Sequence, residues 1–209
     1  MPTTRKTTIS PMLMGFVILY MLGCSALAAR QGNTEFLMYS VVMLFFIVLV
    51  LLLHRAIRFS PTTLWLLAIW GGLHMCGGTI AIDPALTDAY RSAPDEASRP
   101  TAAVLYSLRL HPDWPRYDQI VHAFGFFSAT LACFQALRTL LRAPKSAPTA
   151  VAAALMSIGL GAMNEVIEFI AVLSMPETNV GGYTNTAWDL VANTIGATIG
   201  AIVCLNRRA

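Results

Sequence analysis

Residues 36–54 read FLMYSVVMLFFIVLVLLLH, and that run decides the fold. It contains no Asp, Glu, Lys or Arg. A bilayer core is crossed by about 20 consecutive apolar residues in a helix. Similar runs lie on either side, and together they predict spans at about 10–29, 36–54, 62–82, 117–138, 149–173 and 184–205. Composition agrees. The chain has 209 residues, 56% hydrophobic and 12% charged, whereas a soluble domain carries about 25% charged residues. The expectation is an all-α bundle of six spans, one integral membrane domain over 1–209, with a long external loop at 83–116. A net charge of +3 with basic residues scattered through the loops does not point to nucleic acid.

Lys and Arg set the orientation. The N-terminus, the 55–61 and 139–148 loops and the C-terminus hold Arg5, Lys6, Arg55, Arg58, Arg138, Arg142, Lys145, Arg207 and Arg208. The other side holds Arg30, and Arg91, Arg99, Arg109 and Arg116 in a loop diluted by five acids. The excess of positive charge places both termini in the cytoplasm of a bacterial inner membrane. Arg5, Lys6 and the apolar run ending Ser25-Ala26-Leu27-Ala28 also resemble a signal peptide, with Cys24 near a lipoprotein cleavage box. The reading taken is a retained first helix. Within the long loop, Thr101–Leu110 is apolar enough for a short interfacial helix, with Tyr106, Arg109 and Trp114 as headgroup anchors.

Ionisable residues inside these spans carry the functional signal. A charge at the bilayer centre costs roughly 2.5–3.5 kcal/mol on insertion scales. His74, Asp118, His122, Glu165, Glu168 and Asp189 nevertheless lie in apolar runs, and the alternating topology puts all six in the outer halves of four helices. Asp118 and His122 are four apart, as are Asp189 and Asn193, and Glu165 and Glu168 are three apart, so each pair shares a face. Gly161, Gly196 and Gly200, and Gly71, Gly72, Gly77 and Gly78 around His74, allow close helix approach.

Imidazoles and carboxylates at such spacing suit zinc, manganese or iron. We therefore expect a divalent metal, most plausibly zinc, on His74, His122, Glu165 and Asp189. Asp118 and Glu168 would act as acid or base, and Asn164 and Asn193 would orient ligands. The alternatives are a proton relay in a transporter or carrier and a packed polar core without catalysis. Other chemistries lack their residues. Lys6 and Lys145 lie outside the spans, so a retinal Schiff base is excluded, and neither a GxSxG elbow nor a phosphate loop occurs. Cys24, Cys76, Cys133 and Cys204 fall in four helices without CxxC spacing, which favours packing. His54 is expected at the interface and His111 in solvent. Partners would be membrane lipids and a lipid-linked small molecule. The oligomeric state is not legible.

The ordered segments Gly72-Leu73-His74, Tyr117-Asp118-Gln119-Ile120-Val121-His122-Ala123-Phe124-Gly125, Asn164-Glu165-Val166-Ile167-Glu168-Phe169 and Trp188-Asp189-Leu190-Val191-Ala192-Asn193 resemble the YjdF family of bacterial inner-membrane proteins. More distantly, their order is similar to VanZ-like proteins. The resemblance covers about 60–200 and is weaker over the first two spans. The YjdF-like family has no known function, and VanZ-like proteins are linked to glycopeptide resistance without a settled mechanism. Many relatives carry a Gly-Asp ahead of the sixth-span Asp. Here 180–185 reads VGGYTN, and Asn185 stands in that place. That departure weakens a dinuclear-metal reading, because one candidate anionic ligand is missing.

Overall fold

Ser-Pro pairs open two of the long helices. In the computed structural model, which describes residues 9–175, 178 and 180–206, α1 (Pro11–Gln31) begins after Ser10, and α3 (Pro61–Thr79) after Ser60. Proline suits the first helical turn, where its missing N–H has no partner to lose. Ser60 Oγ also accepts from Thr63 N–H at 3.2 Å. Between them α2 (Thr34–Ile57) is capped by Asn33, whose Oδ1 accepts from Phe36 N–H at 3.0 Å. Gly32, at φ 67°, ends α1 in the left-handed region and reverses the chain. The charge-rule residues Arg5, Lys6, Arg207 and Arg208 lie outside the described residues.

After α3 the chain forms a small cap. Strand β1 (Ala81–Ile82) pairs antiparallel with β2 (Ala103–Val104), Ala81 opposite Val104. Between them lie a 3₁₀ turn (Pro84–Leu86) and the one-turn helix α4 (Asp88–Arg91). A second 3₁₀ turn (Leu105–Ser107) follows β2. Asp88 braces the cap, its carboxylate 3.2 Å from Arg109 Nε and 3.3 Å from Arg116 Nε. Three long helices follow: α5 (Tyr117–Leu140), α6 (Ala147–Ser174) and α7 (Tyr183–Asn206).

Two expectations are corrected here. The third apolar run ends as helix at Thr79 rather than continuing to 82, because residues 81–82 enter the ladder. Thr101–Leu110 is not an interfacial helix but strand and 3₁₀ turn. The turn at Leu105–Ser107 packs against α3 and α5, while Leu110 stays exposed. The fold is otherwise all-helical. Among the described residues five helices, α1, α2, α5, α6 and α7, are long and apolar enough to cross a membrane. α3 has 19 residues, but its glycines, threonines and His74 dilute its apolar character. His54 is buried, with its ring stacked on Phe59 at an interplanar angle of 21°.

The long helices bury one side and leave aliphatic residues on the other. α2 buries Phe36, Tyr39 and Met43 while exposing Val41, Leu44, Phe45 and Val48, as a helix at the edge of a bundle in lipid requires. One core cluster joins α1, α2 and α3, including Cys24, with Cys76 packed against it. A second joins α5, α6 and α7 through Leu131, Cys133, Phe134, Ala153 and Cys204. α5 and α7 make the most intimate pair. A methyl group on Gly196 would collide with the Ala123 carbonyl, and one on Gly200 would crowd Thr130. On α6, a methyl at Gly161 would press on Asn193.

This close seam generates a stability prediction. Gly196→Ala should destabilise the purified protein by about 1–3 kcal/mol, the usual cost of overpacking. Gly159→Ala, where a methyl meets open space, should be neutral or stabilise by up to about 1 kcal/mol. Thermal unfolding in detergent checks both.

Candidate functional site

Three helices bring their polar faces together at the end of the bundle that carries the cap. Asp118 and His122 sit in the first two turns of α5. Asn185, Asp189 and Asn193 recur every four residues on α7, all three buried. Glu165 and Glu168 lie in the last third of α6. Gly161 leaves room for Asn193, so α6 can close against α7 with the carboxylates facing inward.

His122 is the hub. Its Nδ1 is 3.0 Å from Asn193 Oδ1. A carboxamide oxygen only accepts, so in this geometry Nδ1 is the donor. Nε2 faces Asp118 Oδ1 at 3.4 Å and Glu168 Oε1 at 3.9 Å. Glu165 Oε1 lies 3.7 Å from Nδ1. Two overlapping triads share the ring: Asp118, His122 and Asp189, and His122, Glu165 and Glu168. Within each, one ligand atom per residue can be chosen so that all lie within 4.8 Å of one another.

Asparagines manage part of this charge. Asn164 Nδ2 donates to Glu168 Oε1 at 2.7 Å. Asn185 Nδ2 lies 2.6 Å from Asp189 Oδ2, 3.2 Å from Asp118 Oδ2 and 3.1 Å from the Val180 carbonyl. Three acceptors compete for its two protons. The remainder is unsatisfied. Both carboxylate oxygens of Glu165, Asp189 Oδ1 and Asn193 Nδ2 are buried with no hydrogen-bond partner among the described residues. Asp189 and Asn193 are fully buried and Glu165 is 8% exposed.

His74 takes a different position. Its ring packs among Phe36, Tyr39, Trp70 and Tyr106, and its Nδ1 is hydrogen-bonded to the Tyr106 hydroxyl. It enters neither triad. The structure therefore gathers Asp118, His122, Glu165, Glu168 and Asp189 of the expected site and sets His74 apart, because the cap delivers Tyr106 into the space between. Gly77 makes this possible, since any side chain there would meet the Tyr106 ring. Burial, with Asp118 and Glu168 nearby, pushes the Tyr106 phenol well above its ordinary value. It stays protonated and can donate to His74.

A small cavity of about 20 Å³ lies beside His74, Asp118 and Glu168. It is lined by Glu35, Phe36, Tyr39, His74, Tyr106, Asp118, Glu168 and Val180. Glu35 and Tyr39 were missed in the sequence, and Tyr106 was expected at the lipid headgroups rather than beside His74. Glu35 falls one residue before the 36–54 run, and phenols carry no charge to mark them as costly in a membrane. A far larger groove of about 840 Å³ runs along α5 and α7 between Trp114, Trp188, Phe127 and Ile199. It touches none of the six expected site residues, so its size does not make it the site.

Residues 10–209 match the family described as predicted membrane protein (DUF2238), and the chain belongs to it. The YjdF-like resemblance fits this family, and the match extends over α1 and α2, where the motifs were weak. A VanZ-like relation is not shown. No curated protein and no solved structure matches the chain.

Asn185 should matter to stability. Asn185→Ala removes the donor shared by Asp118 and Asp189 and should destabilise the fold by about 1–3 kcal/mol, the cost of leaving buried acceptors unpaired. Thermal unfolding at neutral pH measures it.

Proposed function

We propose that this member of the family is a metal-dependent membrane enzyme that hydrolyses a lipid or a lipid-linked envelope molecule, with the metal bound at His122. One observation carries the reading: Glu165 and Asp189 present buried carboxyl oxygens around a single imidazole, without a hydrogen-bond partner among the described residues. Buried anions must be neutralised by protons, cations or a metal. Asn193 fixes the His122 tautomer in the way that ligand-orienting partners do. Zinc suits this donor set, with manganese or iron as alternatives.

The ligands would be His122 Nε2 with Asp118 and Asp189. Glu165 and Glu168, on the facing helix, complete the set or serve as acid and base. His74, first expected as a ligand, instead holds the cap through Tyr106. A metal in this place would lower the pKa of a bound water and polarise a substrate oxygen. A substrate larger than water needs Tyr106 to withdraw, since the cap closes this end of the bundle. α3 would complete six spans, packed between α1 and α5, in a bacterial inner membrane with both termini cytoplasmic and the site facing outward. A carrier would need ionisable groups continuing to the other end. There the described spans offer chiefly Gln135, bonded to Ser60 and Thr63, and buried His54, which does not favour a relay.

Elemental analysis of undepleted, folded protein should find a stoichiometric divalent transition metal. It should vanish in His122→Ala and persist in His111→Ala, and occupancy should fall on acidification because the ligands must be deprotonated. Folded protein that carries no metal, and takes none up at neutral pH, refutes the reading. Reporter fusions at Ala209 and within 83–116 should report opposite sides of the membrane, and a common side would overturn the orientation.

A further inference from the structure

The cavity beneath the cap lies against the cluster but is not part of either triad. Its volume of about 20 Å³ exceeds the roughly 10–15 Å³ that one water needs, and leaves no room for a second ligand atom of any size. Its walls are polar in several directions: carboxyls of Glu35, Asp118 and Glu168, the imidazole of His74, and the phenols of Tyr39 and Tyr106. Tyr39 supplies a second, independent observation. It is 6% exposed, and its hydroxyl is buried with no hydrogen-bond partner among the described residues. An orphaned phenol buried in an apolar helix is costly, and a bound water would relieve that cost.

We infer that this cavity is the binding site of one ordered water held by Tyr39, and that this water is the oxygen nucleophile of the reaction. The second half rests on the metalloenzyme reading above; the first half does not. Tyr39 donates to the water oxygen, and the two water protons point to Asp118 and Glu168, which line the same space. That arrangement satisfies all three protein groups and leaves one lone pair on the water free. Asp118 Oδ1 and Glu168 Oε1 are also the atoms facing His122 Nε2, so the water and the metal position share a wall.

A water already seated beside Asp118 and Glu168 when Tyr106 withdraws and substrate enters makes hydrolysis, rather than transfer of a group to another acceptor, the reaction this site would support. In the step, the water oxygen bonds to the electrophilic centre of an ester and the ester oxygen leaves. One water proton passes to Glu168 and from there to the leaving oxygen, and the other stays on the new hydroxyl until solvent takes it. Nothing is oxidised or reduced.

The test is a high-resolution experimental structure of the chain as purified, in lipid, alone and as Tyr39→Phe. The wild type should show one ordered water within hydrogen-bond distance of Tyr39 Oη and of a carboxylate of Asp118 or Glu168. Tyr39→Phe, which keeps the ring, should lose that water while its melting temperature stays within a few degrees. A wild-type cavity without water density, a cation in its place, or an unchanged water in Tyr39→Phe each overturns the site. Water present in a chain that binds no metal leaves the site standing and overturns its hydrolytic role.

Discussion

Four acidic side chains buried around one imidazole are the constraint on which the rest of this structure depends. Asp118, Glu165, Glu168 and Asp189 converge on His122 from three helices, inside segments whose outer faces are aliphatic. Even a well-solvated carboxylate loses several kcal/mol on leaving water. The chain supplies Asn164, Asn185 and Asn193 as neutral donors and orienting groups, yet oxygens of Glu165 and Asp189 remain unpartnered among the described residues. A fold that concentrates buried acids and leaves some of their oxygens without a hydrogen bond must neutralise them, by protons or by a bound cation.

Helix packing is subordinate to that arrangement. α5 and α7 touch through Gly196 and Gly200, and this close contact brings Asp118 and His122 level with Asp189 and Asn193. Gly161 lets α6 approach α7 over Asn193. Gly77 and Gly78 admit Tyr106 and Phe36 to the space beside His74. Glycine normally weakens a helix, and here its absent side chains set the spacing of the polar groups. The cap, tied by Arg109 and Arg116 to Asp88, covers the same end.

Much of this was legible in the sequence, and the failures have physical causes. Helical period and alternating direction placed Asp118, His122, Glu165, Glu168 and Asp189 at one depth, because a charged group in an apolar run is conspicuous and spacing fixes its face. His74 shares that depth but not the triads, since depth alone says nothing of which neighbour intrudes. Tyr106 intrudes, from a segment whose apolar stretch suggested a surface helix and whose real form is a ladder and a 3₁₀ turn. Glu35 and Tyr39 were overlooked for opposite reasons: one lies at the boundary of its run, the other is uncharged. Asn185, noted only as the replacement of an acid, proves to bridge two of them.

Infrared difference spectroscopy on metal removal tests the central claim most directly, because it reads the charge state of the carboxyl groups themselves. As purified at neutral pH, the protein should show ionised, metal-coordinated carboxylate bands. A strong chelator should convert part of them to the carbonyl stretch of protonated acids, with the change abolished in Glu165→Gln or Asp189→Asn. Protonated carbonyl bands already present in undepleted protein, indifferent to the chelator, would contradict the account and leave a packed core of neutral acids.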